Sequence, residues 1–229
     1  MSERILLVDD EPRVLRALER EMEEFAVEHG VRIVAYDSPV TALQDIREDS
    51  RDIAVVVSDQ KMPYLKGFHF LQKAKEENPD IVPVLLSAYT DIDDIIASIR
   101  VGLFSFVLKP WDIDQLLHEV RKGLNLHRLR KENDRNAARL NEALKWGGEI
   151  QKKLLESRPP ADRRIAFSVN YTPMARYACG GDYYDIVPLD SNRYLALMGD
   201  VSGHGVKAAF ITFILKTLLN EIIVERRQA

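Results

Sequence analysis

Over the first half of the chain, short apolar runs alternate with stretches in which apolar positions recur every three or four residues. Ile5–Val8 is a continuous apolar run, and from Pro12 to about Glu28 the residues Val14, Leu15, Leu18, Met22 and Phe25 fall at helical spacing. Arg32–Tyr36 reads as a strand and Val40–Arg47 as a short helix carrying Leu43 and Ile46. Ile53–Val57 is apolar throughout and rich in β-branched residues, the pattern of a strand buried on both faces of a parallel sheet. A helix over Phe68–Glu77 and a strand over Val82–Ser87 follow. Asp91–Arg100, with Ile92, Ile95, Ile96 and Ile99, predicts another helix, Ser105–Leu108 a fifth strand, and a further helix begins after Pro110. This alternation predicts an α/β fold: a doubly wound, five-stranded parallel sheet with helices on both faces.

The pattern then changes. Asp112 caps a helix without proline as far as Arg158, in which Leu116, Leu117, Val120 and Leu124 would pack on the sheet. Beyond them a heptad appears: Leu126, Asn133, Leu140, Gly147 and Leu154 at a positions, and Leu129, Asn136, Ala143, Ile150 and Ser157 at d positions. Most positions between are charged, so the stretch reads as a parallel two-helix seam joining two copies through Leu126, Leu129, Asn133 and Leu140. A single solvated helix is the other reading. Gly147-Gly148 is expected to act as a hinge or break, because each glycine costs about 1 kcal/mol in a helix interior. After Arg158-Pro159-Pro160, strands are predicted over 165–171, 183–187 and 194–198, and an apolar helix from Val206 to about Val224. Three segments result: a domain over 1–124, a linker helix over 125–158, and a smaller α/β segment over 159–229.

Composition narrows the function. With 229 residues, 46% hydrophobic and 30% charged, the chain has material for one large domain or two small ones. A net charge of −4 argues against nucleic acid or an anionic membrane as main partner. The basic residues of 121–139 are interleaved with acids, and no helix-turn-helix pattern follows. No apolar run approaches the roughly 20 residues of a membrane span. A single cysteine, Cys179, excludes an internal disulfide framework and suits a cytoplasmic protein. Cys179 beside Gly180-Gly181 reads as a small turn residue and not a nucleophile.

The chemistry collects at strand ends. Asp9 and Asp10 end the first strand, Asp59 the third, Ser87 the fourth and Lys109 the fifth. In a sheet of order 2-1-3-4-5 the first and third strands are neighbours at the switch point, where open α/β sheets bind ligands. Asp9, Asp10 and Asp59 would then converge, and three carboxylates together call for protons or a hard cation such as Mg²⁺. With that cation, Lys109 and the Ser87 hydroxyl would neutralise a phosphoryl group on Asp59. The strings ILLVDDEP, SDQKMP, LLSAYTD and FVLKPW, in this order, resemble the receiver domains of two-component response regulators over about half the chain. The resemblance implies that Asp59 accepts a phosphoryl group from a sensor histidine kinase or another phosphodonor. Asp10, Asp59 and the Lys61 carbonyl would bind Mg²⁺, with Asp9 assisting through water. It also implies a cis Lys109–Pro110 bond and a switch role for Phe106, which lacks the hydroxyl of a tyrosine. Trp111 reads as a packed residue at the helix start.

In the last segment, Asp182 in CGGDYYD and Asp200 in GDVSGHG stand at glycine-rich turns, as metal ligands or as turn and cap residues. The strings IQKKLL, GGDYYD and GDVSGHGVKAA resemble the SpoIIE branch of the metal-dependent PPM-type serine/threonine phosphatases. That resemblance implies Mn²⁺ or Mg²⁺ held by Asp182, Asp200 and the Val201 carbonyl. His204, between glycines, reads as a turn residue. It implies as substrate a phosphoserine protein such as an anti-sigma-factor antagonist. Further ligands of that family have no counterpart after Gly205, so the segment is expected to be a fragment, inactive alone. The leading expectation is thus a receiver controlling a phosphatase through a dimeric helix. The alternative is a non-enzymatic, phosphorylation-switched dimer or adaptor whose last segment binds a partner.

Overall fold

A computed structural model describes residues 2–88, 104–155, 164–170 and 179–228 of the chain. They fall into two compact units, residues 1–134 and 135–229. The first contains β1 (Arg4–Val8), α1 (Pro12–His29), β2 (Arg32–Tyr36), α2 (Pro39–Glu48), β3 (Ile53–Asp59), α3 (Gly67–Glu77), β4 (Val82–Ala88), β5 (Ser105–Lys109) and the start of α4 (Ile113–Leu155). The helix expected over Asp91–Arg100 lies outside the described residues.

The sheet has the order β2-β1-β3-β4-β5 with every pair parallel. Alternate residues of the buried strands divide between two cores. Ile5, Leu7, Val55, Val57, Val84 and Leu86 face α1 and the start of α4, where Leu18, Met22, Leu116, Val120 and Leu124 complete one core. Leu6, Val8, Val56 and Leu85 face α2 and α3, meeting Leu43, Ile46, Phe70 and Leu71. Every residue of β1 and β3 is buried, which is why both read as unbroken apolar runs. Arg4, the one charge inside β1, is buried with its guanidinium on Asp45 and Asp52 at 2.7 Å each and on the Asp49 carbonyl. Asp112 accepts from the Gln115 N–H at 3.0 Å and caps α4.

α4 remains docked on the first unit beyond the sheet. Leu126 packs partly against the core, buried His127 meets the Asp80 carbonyl at 2.9 Å through Nδ1, and Arg128 holds Glu3 at 2.6 Å and the His29 carbonyl at 2.9 Å. Residues 132–143 are then exposed on every face of the helix, Leu140 among them at 62%; Leu129, just before, is 63% exposed.

The second unit holds the rest of α4, an antiparallel pair of β6 (Asp182–Pro188) and β7 (Tyr194–Asp200), and α5 (Val206–Gln228). α4 runs without a break through Gly147-Gly148, contrary to the expected hinge. The physical reason is tertiary support: Gly148 is buried, and Trp146, Gly147, Ile150 and Gln151 line a hollow with Val206, Ala209, Phe210 and Phe213 of α5. Residues 165–170 do not form the strand expected there, because the two-stranded sheet consists of β6 and β7 alone among the described residues. Phe167 sets its ring against Tyr194 at 5.3 Å. No helix among the described residues is long and apolar enough to cross a membrane.

Candidate functional site

The parallel register builds the site. Val8 pairs with Ser58, and Asp59 pairs with Leu86, so Asp9 and Asp10 leave β1 beside the end of β3. Carboxylate oxygens of Asp9, Asp10 and Asp59 lie within 4.8 Å of one another. Asp9 is buried, Asp59 is 6% exposed, and Asp10 is half-buried.

Lys109, at the end of β5, reaches into the group. Its Nζ lies 2.6 Å from Asp59 Oδ1 and 3.0 Å from Asp9 Oδ2. Each carboxylate is also oriented by backbone: the Lys61 N–H donates to Asp59 Oδ2 at 3.0 Å and the Glu11 N–H to Asp9 Oδ1 at 2.9 Å. Burial pushes the Asp9 carboxyl above its ordinary value, and the Glu11 N–H and Lys109 only partly counter this. Burial alone would lower Lys109, but its hydrogen bonds and ion pairs with Asp59 and Asp9 outweigh it and hold the ammonium above the usual lysine value. Three carboxylates and one ammonium leave two formal negative charges in a recess of oxygen donors. That donor set fits a hard divalent cation.

The loop from β3 to α3 is tied to β4 and closed on itself. The Gln60 N–H donates to the Leu86 carbonyl at 2.9 Å, the Gln60 carbonyl accepts from Gly67 at 3.0 Å, and its side-chain oxygen accepts from Phe68 at 3.0 Å. Gly67 is required by contact: a Cβ there would stand 1.9 Å from the Asp59 carbonyl oxygen. Between these anchors, the Leu65 N–H donates to the Pro63 carbonyl at 2.8 Å, closing a γ-turn centred on Tyr64 at φ 67°. A positive φ costs a residue with a Cβ about 1 kcal/mol.

Ser87, buried on β4, pairs with Leu108, next to Lys109. Phe106 on β5 is 37% exposed, and the Lys109–Pro110 bond is cis. Trp111 packs against the core and donates to Glu21 at 3.3 Å.

Residues 5–121, just over half of the chain, match the response regulator receiver domain family. The chain belongs to that family. The receiver is 37% identical over 133 residues to the hydrogenase transcriptional regulatory protein HoxA of Cupriavidus necator, covering 55% of this chain and 26% of that one. It is 31% identical over 147 residues to the regulatory protein AtoC of Escherichia coli K12, covering 63% and 30%. Among solved structures, a receiver domain protein of Clostridium thermocellum matches with a TM-score of 0.52 at 27% identity, covering 56% of this chain and 98% of that one. An uncharacterized protein of Neptuniibacter caesariensis matches with a TM-score of 0.53 at 34% identity, covering 57% and 93%. The chain thus spans about a quarter to a third of the curated relatives it matches. The group formed by Asp9, Asp10 and Asp59 is the acidic pocket in which receivers hold Mg²⁺.

The enzymatic expectation is corrected by these relatives. HoxA, AtoC and the C4-dicarboxylate transport regulator DctD are transcriptional or regulatory proteins, which points to a regulator and not to a PPM-type phosphatase. The expected phosphoserine substrate, such as an anti-sigma-factor antagonist, and the Mn²⁺ of a phosphatase centre rested on that activity and have no support here. The residues concerned do meet: Asp182 and Asp200 are paired across β6 and β7, and a Cβ on Gly181 would lie 2.1 Å from the Val201 carbonyl oxygen. Both aspartates are exposed, and the only group of three candidate metal ligands among the described residues is the receiver's. Cys179 is buried, with burial raising its thiol pKa. Gln151, also buried, bonds Gly180 in both directions, at 2.7 and 3.0 Å, and Thr212 at 3.2 Å.

Proposed function

We propose that this chain is a phosphorylation-switched regulator in which Asp59 accepts a phosphoryl group from a sensor histidine kinase or another phosphodonor. The observation that carries the reading is the convergence of Asp9, Asp10 and Asp59 around Lys109, whose ammonium is 2.6 Å from Asp59. A bound Mg²⁺, held by Asp10, Asp59 and the Lys61 carbonyl with Asp9 assisting through water, would supply charge neutralisation. The residues do the rest. An Asp59 oxygen attacks phosphorus while the bond to the donor breaks, and the leaving group takes the displaced electron pair. Lys109 turns from the Asp59 carboxylate to the new phosphoryl oxygens, and Ser87 offers its hydroxyl to another.

The second unit acts as a binding module and not as an enzyme in this reading. The domain division is 1–124 for the receiver, 125–158 for the connecting helix and 159–229 for the module. Two copies pair in parallel through α4, with Leu129, Asn133 and Leu140 on the seam and Leu126 at its receiver end. Phe106, at the edge of β5, moves with the phosphoryl state. Gene regulation is the role its named relatives support.

The test is labelling by a small acyl phosphate with Mg²⁺. Wild-type chain should form one acid-stable, base-labile acyl phosphate, and Asp59→Asn should form none. Undiminished labelling of Asp59→Asn would refute the assignment.

A further inference from the structure

Tyr64 is placed against its own chain's interest. It sits at φ 67° in the loop from β3 to α3, a conformation that glycine or asparagine adopts with less strain. Its side chain is 97% exposed and takes part in no hydrogen bond or ring contact among the described residues. Strain of this kind persists where the surroundings fix the backbone, and here they do. Gln60 ties the start of the loop to Leu86 of β4, Gly67 closes its end back onto Gln60, and Met62 is buried in its middle. The loop is therefore a rigid rim presenting an aromatic side chain to solvent, five positions after Asp59. Asp59 is 6% exposed, and the Lys61 N–H at the start of the loop donates to its carboxylate at 3.0 Å.

A small donor can enter such a recess without touching the rim. A phosphoryl group carried on a protein side chain cannot, because the rest of the donor must seat on whatever surrounds the opening. We propose that Tyr64 is a docking residue for the protein phosphodonor of Asp59, an aromatic anchor of the kind that concentrates binding energy at interfaces. The inference rests on Asp59 being the acceptor.

The experiment compares Tyr64→Gly and Tyr64→Phe with wild type against two donors. One is acetyl phosphate with Mg²⁺. The other is an autophosphorylated histidine-kinase core, chosen from a panel as the one that labels wild-type chain fastest. Tyr64→Gly should melt no lower than wild type, take phosphate from acetyl phosphate at the same rate, and take it from the kinase core at least tenfold more slowly. Tyr64→Phe should keep most of the transfer from the kinase. The proposal is overturned if Tyr64→Gly accepts from the kinase at the wild-type rate, or if it slows with both donors alike. It is also overturned if no kinase in the panel labels a wild-type chain that acetyl phosphate does label. Failure of the underlying reading looks different: acetyl phosphate would then label neither wild type nor the variants at Asp59.

Discussion

Removing one carboxylate from the acidic pocket should make the metal-free chain more stable and deaf to Mg²⁺. Asp10→Asn is the sharpest form of this perturbation, because Asp9 and Asp59 both hold Lys109 while Asp10 adds charge at the rim. Two unit charges 4.8 Å apart repel by about 3.5 kcal/mol at an effective dielectric near 20. Asp10 faces two carboxylates and one ammonium, so roughly one such repulsion remains. Because Asp10 is half-exposed, solvent screening reduces it to about 1 kcal/mol. For a unit of this size that is a rise in Tm of about 4 °C in EDTA. In wild type, Mg²⁺ at 100 times its dissociation constant should add about 2.7 kcal/mol, and Asp10→Asn should lose most of that gain. Thermal melts followed by circular dichroism, with EDTA and across a Mg²⁺ series, read both quantities. A variant less stable than wild type in EDTA, or one that gains as much from Mg²⁺, would refute the argument that these carboxylates crowd around a cation site.

Asp9 gives a pH signature. Its folded-state pKa is raised by burial, so its ionisation opposes folding. Its contribution should be neutral below its ordinary value of 3.8, become unfavourable as pH climbs through the raised value, and stay level above it. Urea melts of metal-free Asp9→Asn should lack that slope, and an identical slope in both proteins would count against it. Gly67→Ala should destabilise the receiver by roughly 3 kcal/mol, since its Cβ would meet the Asp59 carbonyl oxygen at 1.9 Å. A denaturant melt within 1 kcal/mol of wild type would show that α3 can shift away. Changing Leu129 and Leu140 together to Gln should convert a dimer to a monomer in light scattering, and a monomeric parent would end the seam hypothesis.

The receiver was legible because its chemistry and its fold use the same positions. Runs such as Ile53–Val57 are apolar because both faces are covered, and they stop where a polar side chain must emerge at the sheet's rim. A strand order of 2-1-3-4-5 was enough to bring Asp9, Asp10 and Asp59 together, with Lys109 at the end of the fifth strand. What escaped was polar and long-range. Arg4 reads as a charge before a strand, yet it is buried on Asp45 and Asp52, more than 40 positions away. Nothing in the heptad pattern marks His127 and Arg128, yet they reach Asp80, Glu3 and the His29 carbonyl. The second unit lacked this agreement between levels. Its two aspartates were found opposite one another as glycine-rich strand ends allow, but facing carboxylates do not by themselves define a reaction.

Helix α4 shows how a repeating pattern can be shared between partners. The heptad begins at Leu126, but that residue packs on the receiver core, and Gly147 and Ile150 line the hollow with α5. The stretch exposed all round, residues 132–143, offers a dimer only Asn133, Asn136, Leu140 and Ala143 on the seam, with Leu129 just ahead of it. Two asparagines among these would set register in the proposed dimer while contributing little stability. In the proposed dimer a seam so short would be weak, and weakness is what a switch requires: a pairing worth a few kcal/mol can be tipped by a change of similar size at either end. The receiver end is held by hydrogen bonds of His127 and Arg128 and by the packing of Leu126. Under the proposed function, phosphorylation would not need to remake the seam to control it. It would be enough to alter how the first turns of α4 beyond the sheet are held.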